Sequence, residues 1–110
     1  MAYDEALAGR VRDVLDGQAG LAEKRMFGGL AWLVHGNLAV VARHDGDLMV
    51  RVGPDDHAAL LAEPGAATAL MGERAMRGWI TVDPAACAGT AALTAWVRRG
   101  LAYALGLPPK

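Results

Sequence analysis

The spacing of apolar residues near the start of the chain is helical. Between Asp4 and Asp16 they recur every three or four positions, and acidic side chains occupy the first turn, where they suit the positive end of a helix dipole. Gly17 then provides a stop signal. The segment therefore predicts an amphipathic helix whose buried stripe is Leu7, Val11, Val14 and Leu15.

Residues 24–53 have the pattern of an antiparallel meander, and the rest of the chain is arranged around it. Three apolar, β-prone runs are separated by turn-forming clusters at His35-Gly36-Asn37 and Asp45-Gly46-Asp47. We predict three strands, with residues 18–23 as a link from the first helix. The runs are Met26–Val34, Leu38–Ala42 and Leu48–Val52.

Turn length sets which side chains share a face of this meander, because a slip of one residue turns a strand over. A two-residue first turn, at His35-Gly36 or Gly36-Asn37, and a three-residue second loop, Asp45-Gly46-Asp47, give the most consistent apolar face. The predicted inner face is Ala31, Leu33, Leu38, Val40, Ala42, Leu48, Val50 and Val52. The predicted outer face is Leu30, Trp32, Val34, Ala39, Val41, Met49 and Arg51.

The second half of the chain predicts a short helix, a hairpin and a long helix. The short helix follows Pro54 and covers His57–Ala62, and the hairpin strands are Ala66–Met71 and Arg74–Val82. Thr90 is the predicted N-cap of the last helix, which ends at Gly106. Its apolar stripe is Leu93, Trp96, Val97, Leu101, Ala104 and Leu105. The order α-β(3)-α-β(2)-α predicts a two-layer α+β fold, an antiparallel sheet with helices on one face.

Composition places this pattern in one ordinary globular domain, residues 1–110. Hydrophobic residues make up 54% of the chain and charged residues 21%, and the net charge of −1 argues against a general affinity for nucleic acid. A single cysteine, Cys87, excludes an intramolecular disulfide. We find no signal-peptide pattern and no apolar run of membrane-spanning length, so we expect a cytoplasmic protein without membrane attachment.

Three segments of the chain resemble the N-terminal domain of the TfoX/Sxy family. They read KRMFGGLA at residues 24–31, RGWITVDP at residues 77–84, and WVRRGLAY at residues 96–103, continued by LPPK at residues 107–110. The resemblance runs nearly end to end, and it implies a secretion-chaperone-like fold with the element order predicted above.

The resemblance implies a regulatory role. Better-known members of the family are non-enzymatic regulators of natural competence, thought to act with the cyclic-AMP receptor protein at promoters, and they carry a second, C-terminal domain. We expect the present chain to be a stand-alone N-terminal domain, possessing neither catalytic residues nor a cofactor carried over from the family.

Candidate chemistry in the sequence is sparse. The Met26–Gly29 segment has neither the lysine nor the spacing of a phosphate loop, so its glycines are expected to serve a bend or a close backbone approach. His35, His44, His57 and Cys87 lack the spacing of a zinc site, and Cys87 is expected to be a passive thiol. We therefore expect neither an enzyme nor a metal site.

The predicted outer sheet face is too apolar to stay in water, which leads to a first functional hypothesis. Something should cover this face, and an interface with a second copy or with a regulatory protein is our principal interpretation. The chain would then be a homodimer or an adaptor. The candidate interface residues are Leu30, Trp32, Val34, Val41 and Met49.

Two further surfaces remain open from the sequence. Lys24 and Arg25 could meet Arg77 and Trp79 in a basic, aromatic edge, although the balance of charges argues against direct nucleic-acid binding. Alternatively, a pocket between sheet and helices, lined by methionine and tryptophan, could hold a small apolar ligand.

Overall fold

The computed structural model describes residues 3–110, which form one antiparallel sheet of six strands with helices packed on one face. The helices are α1 Glu5–Leu15, α2 His57–Leu60 and α3 Thr90–Leu105, with a 3₁₀ turn at Pro84–Cys87 before α3. The strands are β1 Leu21–Met26, β2 Gly29–Val34, β3 Asn37–Arg43, β4 Leu48–Arg51, β5 Ala66–Met71 and β6 Arg74–Val82.

The strands lie in the order β1-β2-β3-β4-β6-β5, and every neighbouring pair is antiparallel. The predicted two-layer α+β class is confirmed. The helix predictions hold within a residue or two: Asp4 caps α1 by accepting from the Leu7 amide at 3.0 Å, whereas α3 is capped by Gly89, one residue before the predicted Thr90.

The predicted first strand, Met26–Val34, is wrong as a single element. The chain reverses at Phe27-Gly28, where φ is 54° and 71°, and Met26 pairs with Gly29 across this two-residue turn. We predicted residues 21–26 as part of the link and the start of one strand. They form β1 at the edge of the sheet, so the first half of the chain contributes four strands and not three.

The glycines of this segment do serve a bend and a close approach, as expected. Gly28 takes the positive φ of the turn, which other residues adopt at a steric cost. A Cβ at Gly29 would collide with the main-chain carbonyl of Ala42 on β3. The turn thus places the first two strands closely against the sheet centre.

The predicted sheet faces are wrong for β2, and for Leu38 and Ala39 on β3, because β3 contains a bulge. The first turn is His35-Gly36, one of the two alternatives, since Val34 pairs with Asn37 and Leu33 with Leu38. Trp32 then pairs with Val40, which leaves Ala39 as an extra residue. One inserted residue reverses the alternation. Leu30 and Trp32 therefore lie with Val40 on the helix side.

The loop between β3 and β4 has the predicted length but begins one residue earlier. Arg43 donates its amide to Asp47 at 3.1 Å, which closes a loop of His44, Asp45 and Gly46. Ala42 consequently pairs with Leu48, and Val40 with Val50. The side chains of β4 therefore share faces with those of β3 as predicted, but each β3 residue pairs with a β4 residue two positions earlier than predicted.

The helix side holds the main core. Helices α1 and α3 bury apolar stripes against the sheet, and α3 approaches most closely at Gly100. A Cβ there would lie 2.6 Å from the Ala39 carbonyl oxygen and 2.8 Å from Val40 Cγ1. Members of this core include Leu7, Val11, Leu15, Trp32, Val50, Ile80, Leu93, Trp96 and Val97.

The opposite sheet face is covered by the chain itself. Strand β6 bends at Gly78, whose φ is 90°. The pairing register between β5 and β6 shifts at this bend, since Thr68 pairs with Ile80 but Leu70 pairs with Ala75. We call the bent end of this hairpin, residues 70–77, the arm. Met76 on the arm and Trp79 at the bend pack against Val41 and Met49, and the Trp79 ring lies 6.2 Å from the ring of Phe27.

The contact between α3 and the bulge predicts opposite effects for two helical glycines. Gly100→Ala should lower the free energy of unfolding by about 2 kcal/mol, because the overpacked contact outweighs the gain in helix propensity. Gly9→Ala, in α1, should raise it by up to about 1 kcal/mol, since a Cβ at Gly9 meets nothing within 4 Å. Urea unfolding of both variants tests this, and a stabilising Gly100→Ala would contradict the close approach.

Candidate functional site

Three of the four large apolar side chains that are exposed on the described chain lie around the arm. Leu70 is 56% exposed, Met71 53% and Phe27 37%. Together with three neighbours they line a cavity of about 250 Å³, which we call the arm groove. Its lining residues are Phe27, Arg43, Met49, Leu70, Met71 and Met76.

A buried histidine fixes the bend that presents this groove. His57 opens α2 and is only 8% exposed. Its Nδ1 accepts a hydrogen bond from the Gly78 amide at 2.9 Å, so the proton lies on Nε2, which is 3.1 Å from Thr68 Oγ1. One imidazole therefore ties α2 to both strands of the arm hairpin, and its role is structural.

The five proposed interface residues do not share one outer face, so that part of the prediction is wrong. Leu30, Trp32 and Val34 are buried on the helix side, whereas Val41 and Met49 are buried beneath the arm. The Trp32 indole donates to Glu23 at 2.9 Å, which itself receives hydrogen bonds from Arg12. None of the five is exposed on the surface of the described chain.

The proposed basic and aromatic edge is distributed over separate contacts. Lys24 and Arg25 belong to edge strand β1, and the Arg25 guanidinium lies 5.9 Å from the ring centre of Tyr3. The cation over Trp79 is instead Arg51, at 5.4 Å. Sequence reasoning missed Arg51 because its position opposite Trp79 depends on the pairing of β4 with β6.

A larger cavity, of about 470 Å³, lies between α2 and α3 at the end of β4. No strand residue of the described chain lines it, so it differs in place from the predicted ligand pocket between sheet and helices, and methionine and tryptophan do not line it. Its wall is mainly apolar, with Arg99, Asp56 and Tyr103 as the polar groups. The lining residues are Val52, Asp56, Ala59, Leu60, Arg99, Ala102 and Tyr103.

An acidic cleft lies at the opposite end of the sheet, where Asp45 and Asp47 approach Asp83. Burial, together with a hydrogen bond to Asp45, raises the pKa of Asp47 to about 6. The same hydrogen bond lowers the pKa of Asp45. Arg43 Nε lies 3.6 Å from Asp47 Oδ1. The Asp-Gly-Asp spacing of the loop was the sequence signal for this proton-sharing pair.

The remaining groups that could carry chemistry have structural contacts. Cys87 is buried, its thiol lies 3.4 Å from the Asp83 carbonyl oxygen, and burial raises its pKa. His44 Nδ1 lies 3.3 Å from the Gly28 carbonyl oxygen. Within residues 3–110, histidine, cysteine and acidic side chains do not form a group of three that could hold a metal ion.

The comparison with known families decides the identity of this domain. The sequence model of the TfoX N-terminal domain matches residues 13–104. The chain belongs to the TfoX N-terminal domain family. Comparisons with curated proteins and with solved structures gave no significant match. In the described part of the chain, no helix is long and apolar enough to cross a membrane.

The family match contains every residue that lines the arm groove and the cavity between α2 and α3. Both candidate sites therefore belong to the TfoX N-terminal domain itself. Residues 1–12, which include most of α1, and residues 105–110 fall outside the match.

The raised pKa of Asp47 predicts a loss of stability as pH rises. The folded chain holds this proton more tightly than the unfolded chain, so the contribution is fully present below the ordinary pKa of 3.8 and is lost as pH passes about 6. Asp45, with its lowered pKa, is ionised in both states across most of this window. The free energy of unfolding should fall by about 1 kcal/mol between pH 5 and 7.5 from Asp47 alone.

Urea unfolding at several pH values measures this fall. Asp47→Asn should remove the contribution, and Asp45→Asn should reduce it, because it removes the carboxylate that accepts the shared proton. An Asp47→Asn variant with the same pH dependence as the natural chain would refute the assignment.

Proposed function

We propose that this TfoX N-terminal domain is a non-enzymatic protein-interaction module with a regulatory role of the competence or transcription type. The arm groove is the observation that carries this proposal. Its exposed leucine, methionine and phenylalanine side chains line one cavity, and they are three of the four large apolar side chains exposed on the described chain.

The size and chemistry of the groove favour a protein partner. A cavity of about 250 Å³ is smaller than most small-molecule pockets but suits one or two apolar side chains from a partner. Methionines at positions 49, 71 and 76 give a soft, adaptable lining, which is common at protein-binding surfaces. Arg43 adds one polar group at the rim.

The side chains that could act in catalysis make contacts within the fold, and this supports a regulatory role rather than catalysis. His57 holds the arm bend, and the Cys87 thiol is buried against main-chain oxygens. Asp47 closes a loop by accepting from the Arg43 amide, and its carboxylate lies 3.6 Å from Arg43 Nε. Family membership adds the regulatory context, so the arm groove is the surface that we assign to a regulatory protein.

Binding to a cyclic-AMP receptor protein loaded with cyclic AMP on promoter DNA tests this function. Leu70→Glu should weaken binding by about tenfold or more, because it places a charge in the apolar groove. Leu105→Glu is the matched control, since Leu105 is 45% exposed on α3, and it should bind like the natural chain. Fluorescence anisotropy of labelled DNA gives the dissociation constants.

Absence of binding by the natural chain, or equal loss in both variants, would reject the proposal. Circular dichroism and urea unfolding of each variant separate loss of binding from loss of fold. Both substitutions are at exposed positions, so both variants are expected to fold.

A second candidate function is binding of a small apolar ligand between α2 and α3. The cavity of about 470 Å³ lies within the usual range for small-molecule sites, and its apolar wall surrounds few polar groups. An apolar carboxylic acid fits this lining, with its carboxylate toward Arg99.

A thermal-shift screen with aliphatic and aromatic carboxylic acids tests this alternative. A ligand should raise the melting temperature of the natural chain, and Ala59→Trp should abolish the rise because the indole fills the cavity. A screen in which no acid stabilises the natural chain would reject the alternative.

A further inference from the structure

The two edges of the sheet differ in their protection against further strand pairing. Edge strand β1 carries Glu23, Lys24 and Arg25, all exposed. Charged side chains on an edge strand discourage the addition of another strand. Edge strand β5, with the sequence AATALM, contains no charge and no proline. The β5 edge is therefore open to strand addition, whereas the β1 edge is guarded.

Hydrogen bonding identifies which groups of β5 point away from the sheet. The Gly65 carbonyl accepts from the Asp83 amide at 2.9 Å, and the Ala67 carbonyl accepts from Thr81 Oγ1 at 3.5 Å, so both residues face β6. Orientation alternates along an antiparallel strand. The main-chain groups of Thr68 and Leu70 and the Ala66 carbonyl consequently point to the open edge, whereas the Ala66 amide already donates to the Glu63 carbonyl at 3.2 Å. The irregularity of this hairpin lies in β6, and β5 is continuous.

We propose that β5 pairs antiparallel with β5 of a second copy of this chain, with the two-fold axis at Thr68, so that the two six-stranded sheets become one. Directly opposite residues must both point outward or both point inward. A register centred on Thr68 meets this condition and places all three outward residues of each strand in the ladder. Thr68 then lies opposite Thr68, and Ala66 opposite Leu70.

This register makes the strand its own complement. Leu70, a large exposed side chain, lies opposite Ala66 of the second copy, and Met71 lies opposite Gly65. Ala67 lies opposite Ala69, so each large residue meets a small one. No like charges meet across the axis, because the strand is uncharged. This self-complementarity favours a second copy over a foreign charged peptide.

The guarded β1 edge limits the assembly to two copies. Pairing at β5 uses the only uncharged edge of the described sheet and leaves β1 on both outer sides. The closed assembly is an isologous dimer. The inference goes beyond the proposed function, since a monomeric chain would retain the arm groove and could bind its partner there.

Sedimentation velocity over a wide concentration range tests the dimer. The natural chain should form a dimer. Ala67→Lys should raise the dimer dissociation constant by about tenfold or more, because two lysines approach each other across the axis and the edge gains the kind of charge that protects β1. Ala22→Lys places the same substitution at an exposed position on β1 and should dimerise like the natural chain.

Disulfide trapping tests the register. With oxidised glutathione as the oxidant, Thr68→Cys should give a cross-linked dimer, because the two cysteines lie opposite each other at the axis. The substitution also removes the hydroxyl that lies 3.1 Å from His57 Nε2, so circular dichroism and urea unfolding check that the variant keeps its fold. Leu70→Cys is the control, since position 70 is more exposed but its two copies lie four residues apart in this register. Native Cys87 is buried.

Three results would overturn the proposal: a natural chain that is monomeric throughout, an Ala67→Lys variant that dimerises normally, or a Leu70→Cys variant that cross-links as readily as Thr68→Cys. Neither Ala67 nor Thr68 lines the arm groove, so partner binding by Ala67→Lys is measured independently. A monomer that still binds the regulatory partner overturns the dimer and leaves the proposed function intact.

Discussion

Strand β3 is buried on both of its faces, and the rest of the fold depends on this constraint. Every residue from Asn37 to Ala42 is buried. A strand in the middle of an open antiparallel sheet usually has one face in water, and its side chains then alternate between apolar and polar. Here both faces are apolar, so each requires a cover. Helices α1 and α3 cover one face, and the bent β5–β6 hairpin covers the other.

Both covers depend on irregular backbone positions that allow close packing. On the helix side, α3 can approach the sheet because Gly100 lacks a side chain where Ala39 bulges from β3. On the other side, Gly78 takes a positive φ that bends β6 over the sheet, and its amide is satisfied by His57. A buried amide without such a partner would cost on the order of 1–3 kcal/mol. The histidine therefore stabilises the bend and, with it, the cover of the second face.

The same bend explains where the domain offers surface to other molecules. Folding the arm over the sheet buries Met49 and Val41 but leaves Leu70 and Met71 more than half exposed at its end. The arm groove and the β5 edge are thus two consequences of one hairpin. Of the five central apolar residues that the sequence suggested as an interface, only Met49 contributes, as part of the groove lining. For a member of the TfoX N-terminal domain family, this separates a rigid core from the surface proposed for protein contacts.

The sequence by itself determined the α+β class, the helices, the two turns that flank β3 to within one residue, and the family, because these depend on local periodicity, on glycine and acidic signals and on contiguous motifs. It did not determine which face of β2 meets the helices and which lies beneath the arm. That depends on one inserted residue, Ala39, and on the reversal at Phe27-Gly28, where a phenylalanine occupies a positive φ that its identity does not suggest. Neither leaves a mark in the hydrophobic pattern, since residues on both faces are apolar. The arm groove and the position of Arg51 over Trp79 likewise arise from pairing between distant strands, and the raised pKa of Asp47 arises mainly from burial. Only the tertiary structure decides these features.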